Sequence, residues 1–214
     1  MKNQITTQIC RTLAPLGCDH LLNTNTHFYK LLHGEPIRKK PAKPITDKQL
    51  SNRTKWKLAT QFAAKFSPAF TIARKYDKRK QKWCQSDLVK HLMDVAIVGS
   101  YPAFRIDYPK VRISKGYSRH FVDFVTSLAA TGQLCITFEV SDVVISPQGG
   151  EKMILCLYNA NTDTGYCREE SINLSELRIT YQIPSYDSRG EYHLWLFEAS
   201  PRNKEVGHTY YFKL

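Results

Sequence analysis

No stretch of this 214-residue chain approaches the roughly 20 consecutive apolar residues that a membrane-spanning helix needs, so membrane insertion is not expected. The opening run Met1–Thr7 lacks the apolar core of a secretory signal, which makes the cytoplasm the expected location. Four short catalytic or nucleotide-binding signatures are also missing: G-x-x-x-x-G-K-[ST], G-x-G-x-x-G after a strand, H-E-x-x-H and G-x-S-x-G. Six cysteines are present (Cys10, Cys18, Cys84, Cys135, Cys156, Cys167), but no two form C-x-x-C, and Cys10, Cys18 and His20 are wrongly spaced for a zinc finger. No metal and no cofactor is therefore expected. The chain is long enough to bury a core without disulfides, so free thiols are expected, with Cys135 and Cys156 as small buried apolar residues.

Convergent titratable groups are scarce as well. The seven histidines show no ligand spacing on an evident helix. His193 and His208 could approach across neighbouring strands, where hydrogen-bonded strand histidines are the plainer reading than a metal site. Asp107, beside Pro109, reads as a turn or helix cap before it reads as a general base, because base catalysis needs a positioned partner. Glu169 and Glu170 read as a solvated pair. No catalytic residue is assigned, and the chain is not expected to be an enzyme.

Acidic residues are rare in the first half. Residues 1–110 hold 21 Lys or Arg against 7 Asp or Glu, whereas residues 111–214 hold 10 against 12. The excess concentrates around Arg38, Lys39, Lys40 and Lys43, among prolines, and in Arg74, Lys75, Lys78, Arg79, Lys80 and Lys82. Such clusters attract polyanions by counterion release, and a solvated helix face is the alternative. Trp56, Tyr76 and Trp83 lie among these cations and could stack on bases.

What is present is a change of period. Residues 1–35 are poorly patterned, and residues 36–45, with three prolines, read as an extended linker. Thr46 and Gln49 make a capping box for a helix carrying Leu50, Leu58, Ala59, Phe62, Ala63 and Phe66 on one stripe. Ser67-Pro68 ends it and starts a second helix. A third begins at the N-cap Ser86, buries Leu88, Leu92, Val95 and Ala96, and stops at Gly99. From about residue 104 the period falls to two. Strands are predicted at 104–106, 111–114, 134–140, 152–159, 177–183, 192–198 and 206–213, with a short addition at 122–125. The predicted fold class is α+β: an irregular segment and linker (1–45), a basic helical region (46–103), then an antiparallel β-sandwich (104–214).

Two of these strands, 152–159 and 192–198, and the end of a third, Tyr210-Tyr211-Phe212, do not alternate. Apolar residues on both faces imply that the outer face is covered too. Trp195, Phe197 and Tyr211 are accordingly expected under the helices or against another subunit, as an interaction surface.

Pro44-Ile45-Thr46-Asp47-Lys48-Gln49-Leu50-Ser51-Asn52-Arg53 resembles a P-x-T-x-x-Q-x-x-x-R helix start. The segment from Gly99 to Gly116 (GSYPAFRIDYPKVRISKG) resembles G-x-Y-P-x-[aromatic]-x-I-D-Y-x-K-V-x-I-S-x-G. In this order and spacing they resemble an uncharacterised Bacteroidota family, domain of unknown function 6266, over about residues 36–214. Members of that family begin with a glycine-rich stretch, and residues 1–35 here depart from it, with only Gly17 and Gly34. The resemblance implies no activity and supplies no catalytic residues. Tyr192, Leu194 and Leu196 are separately similar to the corner tyrosine and buried positions of a fibronectin type III or immunoglobulin-like sandwich.

The sequence thus points to a structural or interaction protein, with a protein partner or a homo-oligomer expected. The alternative is polyanion or nucleic-acid binding without sequence readout, through Lys39, Lys40, Lys75, Lys78, Arg79 and Lys80.

Overall fold

The computed structural model describes residues 44–77, 83–116, 120–141 and 150–214. Residues Thr46–Leu214 form one compact unit, which carries the secondary structure described below. Among the described residues, no helix is long and apolar enough to cross a membrane.

Helix α1 spans Asp47–Lys65 and starts with the predicted box: Gln49 N–H donates to Thr46 Oγ1 (3.3 Å), and Thr46 N–H donates to Gln49 Oε1 (3.1 Å). After a one-residue break at Phe66, helix α2 runs Ser67–Tyr76 with Pro68 in its first turn, where a missing N–H costs nothing. Helix α3, Gln85–His91, is capped by Cys84, not Ser86, because the Asp87 carboxylate reaches back to the Cys84 N–H at 2.9 Å. It widens into a π-helical turn at Leu92–Ala96. That turn keeps Leu88, Leu92 and Ala96 fully buried and rotates Val95 outward to 48% exposure, against the predicted inward face.

Strands β1 (Ile97–Val98) and β2 (Arg105–Ile106) form a small hairpin. Gly99 opens its turn at φ +95°, and a Cβ there would stand 2.6 Å from the Ala103 carbonyl oxygen. Strands β3 (Phe121–Leu128), β4 (Gln133–Val140) and β7 (Arg178–Gln182) form a three-stranded antiparallel sheet, in the order β3-β4-β7. Strands β5 (Lys152–Asn159), β6 (Thr164–Ser171), β8 (Tyr192–Ser200), β9 (Glu205–Val206) and β10 (Tyr210–Lys213) form a five-stranded sheet. Its order is β10-β8-β5-β6, with β9 also paired to β8. The α+β class therefore holds.

Several strand expectations change. Residues 111–114 make no strand; Val111, Ile113 and Ser114 are buried in an extended segment instead. It docks on the link between β9 and β10. Ser114 N–H donates to Thr209 Oγ1 (2.7 Å), Ser114 Oγ donates to the Gly207 carbonyl (2.7 Å), and Thr209 Oγ1 donates to the Ser114 carbonyl (3.0 Å). These bonds interrupt the predicted 206–213 strand at residues 207–209. Strand β6 was not expected, since TGYCREES neither alternates nor carries many apolar residues. Its Glu169 and Glu170 are not a solvated pair: Glu169 accepts from the Tyr76 hydroxyl, and Glu170 pairs with Arg168.

The non-alternating strands are explained by two cores that share one sheet. Met153, Leu155, Leu157, Leu194 and Leu196 face the three-stranded sheet and pack with Leu134, Ile136 and Ile179. Ile154, Cys156, Trp195 and Phe197 face the other way and pack under Phe62, Phe66, Phe70 and Leu88 of the helices. All nine residues of β8 are buried in consequence. Trp195 is 0% exposed, with its ring 6.0 Å from Phe62 and 5.5 Å from Phe66. Burying such a side chain contributes about 1.5–3 kcal/mol. Trp195 and Phe197 are thus interior contacts beneath helices of their own chain, and a partner subunit has no access to them.

Candidate functional site

Beside the helical-side core, at one end of the five-stranded sheet, lies a cleft of about 600 Å³. Its lining includes Leu58 of α1, Val98 of β1 and Ile106 of β2. Its walls carry Tyr108, Tyr158, His193 and Tyr211, with Arg105, Asp107, Glu191 and Lys213 around them. Each element contributes by register. His193 opposes Lys213 across β8 and β10 and opposes Tyr158 across β8 and β5, which sets the imidazole among the tyrosines. Tyr108 comes from a 3-10 turn, Tyr108–Lys110, that follows Asp107.

His193 is the centre of the cluster. Its ring lies 3.8 Å from that of Tyr108, and its Nδ1 is 2.9 Å from the Tyr211 hydroxyl. Nε2 is buried without a hydrogen-bond partner among the described residues, 3.7 Å from the Glu191 carboxylate. Glu191 itself is held by Lys213 at 2.6 Å. Tyr158 donates to Asp163 Oδ1 at 2.7 Å, and Asp163 Oδ2 pairs with Lys65 at 3.0 Å. Asp107 takes the turn role: its N–H donates to the Ala96 carbonyl, and its carboxylate pairs with Lys110 at 2.7 Å. Arg105 is exposed and has no ion pair among the described residues.

Burial pushes Tyr108, Tyr158 and Tyr211 above the ordinary phenol range, and the Asp163 carboxylate adds to this at Tyr158. The Tyr158 hydroxyl lowers Asp163, and the Lys213 ammonium lowers Glu191. Burial lowers His193 below the usual imidazole range; Glu191 opposes this and Lys213 adds to it. The cleft is therefore lined at neutral pH by uncharged phenols and an uncharged imidazole, with the Asp107–Lys110 and Glu191–Lys213 pairs and the exposed Arg105 at its margin. Flat rings and neutral donors suit stacking and hydrogen bonding to polar groups.

The His193 shift has a stability consequence. The folded state resists the proton that an unfolded chain accepts near pH 6.5, so this contribution is complete above about pH 6.5 and is lost below it. A thermal-midpoint series from about pH 7.5 to pH 5 should therefore fall on the acid side, and His193→Gln should flatten that slope.

His208 does not join His193: the β8–β10 register puts Lys213 opposite His193 and His208 outside the paired strand. Tyr211, one of the three expected surface residues, is half-buried at the cleft. Of the expected anion contacts, Lys75 is exposed and lies 3.8 Å from Glu169. Lys39, Lys40, Lys78, Arg79 and Lys80 lie outside the described residues, as do Cys10 and Cys18. Trp56 is 55% exposed on α1. The sequence reading missed Tyr108 and Tyr158 as site residues; the I-D-Y segment was its nearest signal. Among the described residues, no group of three or more His, Cys, Asp or Glu side chains is placed to hold a metal ion.

No curated protein and no solved structure matches the chain. A family profile matches residues 32–212, which include both the helix start at Thr46 and the Gly99–Gly116 segment. The chain belongs to the Family of unknown function (DUF6266).

Proposed function

We propose that this protein is a non-enzymatic interaction protein and that its cleft receives a segment of a protein partner. The observation that carries this reading is the aromatic wall of Tyr108, Tyr158, His193 and Tyr211 around a cleft of about 600 Å³. Tyrosines supply large contact area and a polar tip at low entropic cost, the chemistry of protein recognition. The acids of the cleft are engaged, Asp107 by Lys110 and Glu191 by Lys213, so they favour orientation of a ligand over proton transfer. The fibronectin-like reading of the strand-rich half rests on Tyr192, whose hydroxyl accepts the Asp187 N–H at 2.9 Å.

A displayed random-peptide library selected on the folded protein tests the proposal. Enriched peptides should bind with micromolar affinity, and Tyr211→Ala should weaken them by about tenfold, the loss of one contact worth roughly 1.4 kcal/mol. Failure to enrich, or peptides indifferent to both Tyr211→Ala and Tyr108→Ala, would reject the cleft as the binding site. Light scattering over a concentration series separates a foreign partner from self-assembly.

A second reading has one specific support. Helices α1 and α2 carry seven Lys or Arg against the single acid Asp47. Polyanion binding through this face would appear as oligonucleotide affinity that drops steeply with salt.

A further inference from the structure

Cys156 of β5 and Cys167 of β6 stand directly opposite each other in the antiparallel ladder. Both thiols are free, and their Sγ atoms are 3.8 Å apart. Both belong to the helical side of the sheet: Cys156 is 0% exposed, while Cys167 is half-buried with its Sγ 4.0 Å from the Lys65 carbonyl at the end of α1. Directly opposed antiparallel residues have Cα separations of about 4.5–5.5 Å, inside the roughly 4.4–6.8 Å range of disulfides. Closing the sulfurs to about 2.05 Å needs rotation about two Cα–Cβ bonds and no change of strand register. The other described thiols are differently placed. Cys84 lies against Asp87 at the start of α3, and Cys135 on the other sheet accepts from Arg178 Nε at 3.0 Å.

We propose that Cys156 and Cys167 form a reversible dithiol site that hydrogen peroxide oxidises to a cross-strand disulfide. The exposure difference sets the order of events. Cys167 is reachable and reacts first; Cys156, shielded from solvent, resolves. The Cys156 thiol favours a thiolate on Cys167, and burial pushes Cys156 up, which assigns the same roles. In the first step the Cys167 thiolate attacks a peroxide oxygen. The S–O bond forms, the O–O bond breaks, and hydroxide leaves to be protonated to water. In the second step the Cys156 sulfur attacks the sulfenic sulfur. The S–S bond forms, the S–O bond breaks, and the thiol proton leaves with the displaced hydroxide as a second water. Two thiols are oxidised and one peroxide is reduced. A small oxidant suits the position, because Lys65 stands over β6: a Cβ on Gly165 would meet the Lys65 Cβ at 2.8 Å.

The test treats the full chain with hydrogen peroxide, alkylates residual thiols and maps digested peptides by mass spectrometry. The expected product is one linked peptide pair joining Cys156 and Cys167, reversed by dithiothreitol and formed about tenfold faster than any oxidation of Cys135. Cys156→Ser should accumulate a dimedone-trapped sulfenic acid at Cys167, and Cys167→Ser should leave Cys156 unmodified. Cys156→Ala, checked for native circular dichroism, replaces Cys156→Ser should the hydroxyl unfold the core. Folded wild-type protein that yields only over-oxidised Cys167 without a linked pair, or that oxidises Cys84 and Cys135 while the pair stays reduced, overturns the proposal.

Discussion

Trp195→Ala is expected to lower the unfolding free energy by about 3–5 kcal/mol, the range for truncating a large aromatic in a packed core. The side chain is wholly buried between β8 and the helices, with Phe62, Phe66, Tyr108 and Tyr211 around it at ring distances of 5.5–6.4 Å. Helices α1 and α2 would lose the centre of the surface they rest on. A ranked series sharpens the test. The indole Nε1 is buried and has no hydrogen-bond partner among the described residues. Trp195→Phe removes that orphan donor while keeping a ring, so it should cost less than alanine, about 1–2 kcal/mol. Trp195→Glu should prevent folding, because a buried unpaired carboxylate costs several kcal/mol. Urea unfolding followed by fluorescence and circular dichroism reads the order Phe, Ala, Glu. Equal costs for all three would show that the helices do not depend on this residue.

Gly116→Ala is the second large effect, with an expected loss of about 3 kcal/mol. A Cβ at residue 116 would stand 1.6 Å from the Val206 carbonyl oxygen and 2.5 Å from that of Gly207. Both are backbone atoms, so no side chain can swing away. The segment 111–116 must lift off the β9–β10 link, breaking the Ser114–Thr209 and Ser114–Gly207 hydrogen bonds. Hydrogen exchange should accelerate at the Ser114 amide in the variant while the β5–β8 ladder stays protected. The terminal glycine of the I-S-x-G pattern thus has a steric reason: backbone approaches backbone too closely for any side chain.

Much of the helical layer was legible because its signals are local. The Thr46–Gln49 box, the Phe62–Phe66 stripe and the Ser67-Pro68 break each need only a few neighbouring residues, and each appears in the structure. The doubly apolar β5 and β8 were legible for a different reason: a strand without alternation has two faces to bury, whatever covers them. Three features were hidden. Strand β6 is an edge strand rich in Arg168, Glu169 and Glu170, held by its pairing with β5 instead of by its own pattern. Ser86 outranked Cys84 as a cap by residue preference, yet the Asp87 side chain decided the position. The cleft was invisible because Tyr108, Tyr158, His193 and Tyr211 are far apart along the chain and meet only through strand register.

The shared sheet has a practical consequence for anyone trimming the chain. Excising the strand-rich half at residue 104 would strip the cover from Ile154, Trp195 and Phe197 and leave an oily slab facing water. Such a fragment should clump during expression, and a usable minimal piece has to begin near Thr46. Heating the intact unit should likewise melt both layers in one calorimetric peak, because neither can leave without stranding the other.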